Sequence, residues 1–322
     1  MNAHKNKSLI FAMLLDLAFG DPPNHLHPVA WMGSMIARIS EHAPHRAPIP
    51  DLLFGGCLVA GGAGFWGALG TLAVTITRRL PQPFDWLAEG LMLKITFSLR
   101  GLVDASRAIE RQLNGGNLLE ARRLLSWHLV SRDTDNLDES GISTAVVESV
   151  AENASDGLVA PLIYYAQGGL PVALVYRFIN TSDSMLGYHD AAREWLGKIP
   201  ARLDDLANLL PARLTGLLIS LAAYLTGNSS RNAWNTMRQQ AKHTLSPNAG
   251  YPMSAMAGAL NVELEKSGHY RLGLGHPKPH AGDIDRAIQV LFGIAGLLTA
   301  LLITVKFIPA SSDRRTTQAA PR

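Results

Sequence analysis

Apolar and polar residues fall in long blocks along this chain instead of alternating one by one. Leu52 to Ile76 carries no charged side chain and is rich in glycine (Gly55, Gly56, Gly61, Gly62, Gly64, Gly67, Gly70). Ala287 to Val305 is likewise uncharged and rich in leucine and isoleucine. A membrane-crossing helix needs about 20 mainly apolar residues, so both stretches predict spans. Two further segments are weaker. Gly157 to Tyr176 is uncharged but broken by Gly168-Gly169-Leu170-Pro171, and Leu214 to Thr226 is long enough only if Leu206 to Arg213 extends it. Irregular backbone at membrane depth needs protein or water around it, which makes Gly157 to Tyr176 the candidate re-entrant segment. Lys5 and Lys7 ahead of the apolar run Leu9 to Phe19 imitate a secretory signal. Asp16 within that run and Gly20-Asp21-Pro22-Pro23 after it do not fit one, so a short intramembrane or interfacial helix is expected.

The polar stretches read as helical. From Phe84 to Leu113 apolar residues recur three and four apart (Leu87, Leu91, Ile95, Leu99, Leu102), which predicts one amphipathic helix. Asn114-Gly115-Gly116-Asn117 stops it, and Leu118 to Val130 resumes. Long alternating β runs are absent. The expected fold is all-α: a polytopic integral membrane protein with about four to five membrane segments and helical cytoplasmic insertions. One enzyme domain over residues 1–308 and a disordered tail over 309–322 are expected. Basic residues mark Thr77 to Asp156 and Gly227 to Arg286 as cytoplasmic, although Arg314, Arg315 and Arg322 compete with them.

Composition sharpens this picture. Of 322 residues 47% are apolar and only 17% charged, below the roughly 25% of soluble domains. Mean hydropathy is +0.09, low for a pure membrane bundle. A net charge of +3 gives no basic field for nucleic acid. The lone Cys57 excludes a disulfide framework, a CxxC redox pair and a cysteine zinc site.

Four polar clusters carry candidate chemistry. In the first, Pro22, Pro23 and Pro28 stiffen a loop holding Asp21, His25 and His27 beside Asp16 and Trp31; an ordinary turn is the plain alternative. In the second, Ser131-Arg132-Asp133-Thr134-Asp135 precedes Glu148, Glu152, Asn153 and Asp156. If Glu139 to Asp156 is helical, the three acids at four-residue spacing form one stripe and repel one another. A divalent cation would offset that repulsion, and carboxylate oxygens suit Mg²⁺; a solvated acidic face is the alternative. The third cluster sets Arg177, Asn180, Thr181, Ser182, Asp183, Ser184, Tyr188, His189 and Asp190 after the broken segment, where they could ligate a metal-phosphate or merely cap a helix. The fourth, His276-Pro277-Lys278-Pro279-His280 before Asp283 and Asp285, reads as a compact anion site at a helix start or as a headgroup-level loop. P-loop, dinucleotide, HExxH and GxSxG motifs are absent.

Taken together these clusters resemble one family. Leu15-Asp16-Leu17, Gly20-Asp21-Pro22-Pro23, His27-Pro28-Val29 and Trp31-Met32-Gly33 are similar to its N-terminal signature. Ser131 to Thr134, Glu148 to Asn153 and Ser155-Asp156-Gly157 are similar to its central one. Tyr176-Arg177, Asn180-Thr181, Asp183-Ser184-Met185, Gly187-Tyr188 and Gly282-Asp283 complete it. The family is CobD/CbiB, the adenosylcobinamide-phosphate synthases of cobalamin biosynthesis, and the likeness runs from about Leu9 to about Ile303.

The resemblance implies a multi-pass enzyme of the bacterial inner membrane. It implies an ATP-dependent carbon–nitrogen ligase joining adenosylcobyric acid to aminopropanol, or its O-phosphate, by an amide on a corrin propionate. Mg²⁺ and ATP are the implied cofactor and co-substrate. On chemical grounds Glu148, Glu152, Asp156 and Asp183 are assigned to Mg²⁺. Arg132, Arg177, Asn180, His276, Lys278 and His280 are assigned to phosphate or substrate. Asp21 or His27 is assigned as base, with Glu152 and Asp183 also catalytic. Expected partners are the corrinoid, the amino-alcohol, membrane lipid and other membrane-bound enzymes of the pathway, with no nucleic acid. Rival readings are a membrane transporter, which broken helices also mark, and a CDP-alcohol phosphotransferase-like enzyme. For the latter, Asp156-Gly157-Leu158-Val159-Ala160 begins the metal motif, but Pro161 stands where arginine is required.

Overall fold

A computed structural model describes residues 3–44, 47–187, 194–266 and 268–304. The chain opens with α1 (Ala3–Phe19), α2 (Pro28–Ser40) and the long α3 (Pro48–Thr77). Then come α4 (Phe84–Lys94), α5 (Arg100–Asn114), α6 (Leu118–His128) and α7 (Glu139–Asn153). A π-helical turn (Ala154–Val159) leads into α8 (Ala160–Gly168) and α9 (Leu170–Leu186). The second half holds α10 (Lys198–Ala207), α11 (Leu209–Leu225), α12 (Ser230–Gln240), α13 (Gly250–Leu260) and α14 (Ala281–Thr304). Between α13 and α14 lies a small antiparallel hairpin, β1 (Leu264–Lys266) with β2 (Tyr270–Leu272), pairing Glu265 with Arg271. The all-α expectation omits this hairpin, because three-residue strands are too short to show a period.

The centre of the molecule is α7, where every residue from Ile142 to Ala151 is buried. Buried faces of α5, α13 and α14 pack around it. On the far side α3 lies along α9, and its glycines set how closely. A methyl group on Gly62 would fall 2.1 Å from the Phe178 ring, and one on Gly70 would fall 2.8 Å from the Pro171 backbone. Leu53, Phe65, Leu69, Leu72 and Ile76 of α3 point outward and are exposed, as a lipid-facing side would be.

Four to five membrane segments are not found among the described residues. Two helices, α3 and α14, are long and apolar enough to cross; α10 and α11 qualify only as a pair bent by 48°. Gly157 to Tyr176 breaks where its glycines predict: Gly169 takes φ +76 and α9 restarts with Pro171 in its first turn. Its first helical piece, α8, has nine residues, or roughly 14 Å. That is too short to cross, and most of it is buried in protein.

The single helix expected from Phe84 to Leu113 is two helices. The chain turns at Ile95 to Leu99, where the Ser98 N–H donates to the Gly157 carbonyl at 3.2 Å. The Arg100 N–H at the start of α5 donates to Asp16 at 2.8 Å. A tertiary carboxylate thus supplies the acceptor that a helix start lacks, which no local period reveals. The expected tail at 309–322 lies outside the described residues.

Candidate active site

A cavity of about 510 Å³ opens between α7, α9, α10 and the turn before α13. Glu152, Asp156, Asp183, Asp204 and Asp205 line it, with Lys198, Arg202, Asn208, Ser246 and Asn248. Three local features place the acids. α7 ends at Asn153, so Glu152 stands on its last turn and Asp156 on the wider π-helical turn. The Asp156 carbonyl accepts from Tyr176 Oη and from Arg177 Nη1, each at 3.3 Å. α9 carries Asp183 two turns past Tyr176, and Asn180 between them donates to Asp204 Oδ1 at 3.2 Å. Asn208 donates to Asp204 Oδ2 at 3.0 Å and accepts from Tyr176 Oη at 2.9 Å.

The electrostatics follow from this crowding. Burial, then Asp204, Asp205 and Glu152, push Asp183 up to about 7. Burial and Asp204 also raise Glu152, and burial with Asp204 and Glu152 raises Asp156. Glu152 is exposed to the cavity while protein surrounds it. Burial lowers Arg177, opposed by Tyr176, Asp156, Asp21 and Asp204, and its Nε has no hydrogen-bond partner.

Among the described residues no three acid or histidine groups already stand as a metal cage. The donor set still fits Mg²⁺, which binds through one or two carboxylates and keeps water and phosphate oxygens for the rest. Glu148 stands apart from the cavity lining. It is buried, 3.5 Å from Arg132 Nη2, beside Tyr270 and Lys266 of the hairpin. Burial pushes it up to about 7, and its Oε1 is unpartnered. Arg132 therefore pairs with a carboxylate.

The N-terminal cluster is a buried ion network. Lys94 Nζ lies 2.5 Å from Asp21 and 2.9 Å from Asp16, and Ser98 also donates to Asp21. Burial works to raise Asp21, but hydrogen bonds from His27, Lys94 and Ser98 outweigh it and hold the carboxyl well below its usual range. His27 Nδ1 accepts from the Val29 N–H and caps α2, while Nε2 faces Asp21 at 3.7 Å. Hydrogen bonds thus lower the basicity of Asp21, and the Val29 N–H takes the Nδ1 lone pair of His27, which departs from the base role expected of them. Tight pairing invisible in the sequence is the reason.

The C-terminal cluster does not close into the expected anion site. Lys278 is exposed and lies 3.4 Å from Glu265. His280 is exposed; its Nδ1 accepts from the Gly282 N–H and its own N–H donates to Asp283. His276 donates its N–H to the Gly273 carbonyl. No hydrogen bond or ion pair among the described residues joins the three side chains. Thr181 and Ser182 bond back to the carbonyls of Arg177 and Phe178 within α9, so they are not caps. Tyr188, His189 and Asp190 lie outside the described residues.

Sequence reading missed Asp204, Asp205, Asn208, Lys94, Lys266 and Tyr270. Asp204 and the C-cap Asn208, at i and i+4 just ahead of the apolar α11, were a usable signal. The others meet the site only through the fold.

These features define a helical membrane-type protein with an acid-lined cavity. The CobD/Cbib protein family model matches residues 9–292. The cobalamin biosynthesis protein CobD of Geobacter metallireducens is 41% identical, over 95% of this chain and 98% of its own. CobD of Klebsiella pneumoniae is 39% identical, over 92% and 96%. The cobalamin biosynthesis protein CbiB of Salmonella typhimurium is 37% identical, over 92% and 95%. No solved structure matches the chain. The chain belongs to the CobD/CbiB family, which does not favour the transporter or phosphotransferase reading.

Proposed function

We propose that this cobalamin biosynthesis protein joins adenosylcobyric acid to aminopropanol, or its O-phosphate, through an amide on one corrin propionate. The observation that carries the site assignment is the ring of Glu152, Asp156, Asp183, Asp204 and Asp205 around one cavity. An acid-lined cavity attracts an ammonium group. A carboxylate near pH 7 can then take the proton that the amine must lose before it attacks. Asp183 is the base in this reading, because Asp21 and His27 are engaged elsewhere. Lys198 and Arg202 line the same cavity and suit the phosphate end of the amino-alcohol. Arg177 and Asn180 position Asp156 and Asp204. In this reading the propionate arm enters the cavity of about 510 Å³.

ATP is the proposed co-substrate. It converts the propionate to an acyl phosphate with release of ADP; Asp183 takes the ammonium proton, and the free amine then displaces phosphate, which leaves carrying the second N–H proton. Glu152 and Asp156 would hold Mg²⁺, which neutralises phosphate charge and leaves Asp183 free to take the proton. The reaction class is an acid–amine ligase, placed in the bacterial inner membrane beside other membrane-bound enzymes of the pathway.

Glu152→Gln in detergent-purified protein tests the site. Amide product from adenosylcobyric acid and the phosphorylated amine should fall about 100-fold, with more Mg²⁺ needed for half-maximal rate. Unchanged rate and unchanged Mg²⁺ dependence would exclude Glu152 from the site. No amide product from the unaltered protein would exclude the reaction.

A further inference from the structure

A second concavity, lined by different residues, adjoins the acidic cavity across Asn248, and the ligation chemistry makes no use of it. It encloses about 340 Å³ between α11, α12 and the turn after α12. Arg213, Arg238 and Lys242 bring three cations to it, and its lining contains no acid. Trp234 and Tyr251 supply the aromatic walls. The Arg213 guanidinium lies 4.2 Å from the Tyr251 ring centre, and that of Arg238 lies 5.9 Å from Trp234. Arg213 Nη1 donates to the Leu209 carbonyl at 2.7 Å and faces Asn248 Oδ1 at 3.3 Å. Among the described residues none of the three cations has an ion-pair partner. Gathering three like charges costs free energy that an anion would recover.

The open side of the concavity indicates which anion. Leu217 belongs to its lining, and Leu217, Leu221 and Leu225 lie four apart on one flank of α11, all exposed. A phosphate held by the cations would thus have an apolar flank running away from it. Trp234 at the rim is exposed, as tryptophan at a membrane interface is. Basic pockets beside apolar helices suit phospholipid headgroups. We propose that this concavity binds the phosphate of an anionic phospholipid whose acyl chains lie along the Leu217–Leu225 flank of α11. The shared chemistry with a free phosphate ligand is the phosphate group; the acyl chains are what separates the two.

The test uses full-length protein in nanodiscs or detergent, with phosphatidylglycerol, phosphatidylcholine and inorganic phosphate as separate probes. Native mass spectrometry counts retained lipid, and thermal unfolding reads stabilisation. The unaltered protein should retain phosphatidylglycerol over phosphatidylcholine, and millimolar inorganic phosphate should not displace it. The double variant Arg238→Gln/Lys242→Gln alters exposed side chains only, so the fold is kept. It should lose about tenfold or more in phosphatidylglycerol retention, and amide formation in detergent should stay unchanged. Equal retention of both lipids would overturn the proposal, as would full retention by the double variant. Stabilisation by inorganic phosphate alone, lost in the variant while lipid retention is not, would reassign the pocket to a soluble phosphate and overturn the lipid reading.

Discussion

Glu148→Gln gives the sharpest measurable consequence of the buried acid stripe. Glu148 is 6% exposed, with Arg132 at 3.5 Å as its nearest cation and one carboxylate oxygen unpartnered. Its pKa moves from the ordinary 4.5 to about 7, chiefly through burial. Such a group binds its proton more tightly in the folded chain than in the unfolded one. Its contribution to stability is fully present below pH 4.5, declines as pH rises toward 7 and is lost above that. Keeping Glu148 ionised in the fold at pH 8 then costs about 3 kcal/mol. Glutamine has nearly the same shape and cannot ionise, so the variant escapes that cost. Unfolding of the detergent-solubilised protein, followed without divalent cations from pH 4.5 to 8, should show the two proteins alike at the acid end. At pH 8 the variant should be the more stable by about 3 kcal/mol. The other raised carboxylates are common to both proteins and cancel in the difference. Parallel curves across that range, or a variant weaker at pH 8, would refute the reasoning.

Three further outcomes follow from the geometry. Asp183→Asn should lower the amide-forming rate about 100-fold or more and remove the rise in activity through pH 7 that a carboxylate of about 7 predicts; a pH–rate profile with that rise intact would exclude Asp183 as base. Lys94→Ala leaves Asp16, 0% exposed, without its cation, and should destabilise by about 3–5 kcal/mol at pH 8, read by thermal melting. Gly62→Ala drives a methyl group into Phe178 and should lower stability by about 1–3 kcal/mol; combining it with Phe178→Leu should restore part of the loss in the same melting assay.

Helix content, the two long apolar helices α3 and α14, and the break at Gly169 were legible because each is written in a local run of residues. So was the spacing of Glu148, Glu152 and Asp156, since four-residue steps are a property of the helix alone. Other features were not local. Whether Gly157 to Tyr176 and Leu214 to Thr226 meet lipid or protein depends on what packs against them, and an apolar run serves either surroundings. Asp21 and His27 read as bases in sequence because their residue types permit it. Lys94, distant along the chain, decides otherwise by neutralising one, and the start of α2 occupies the other. The sequence by itself determined the helical class, the family and the stock of acids. Only the tertiary structure decided that Asp204 and Asp205 join Glu152, Asp156 and Asp183 around one cavity and that His276, Lys278 and His280 do not converge, because Coulombic repulsion, burial and hydrogen-bond geometry act through distances in space that chain order does not encode.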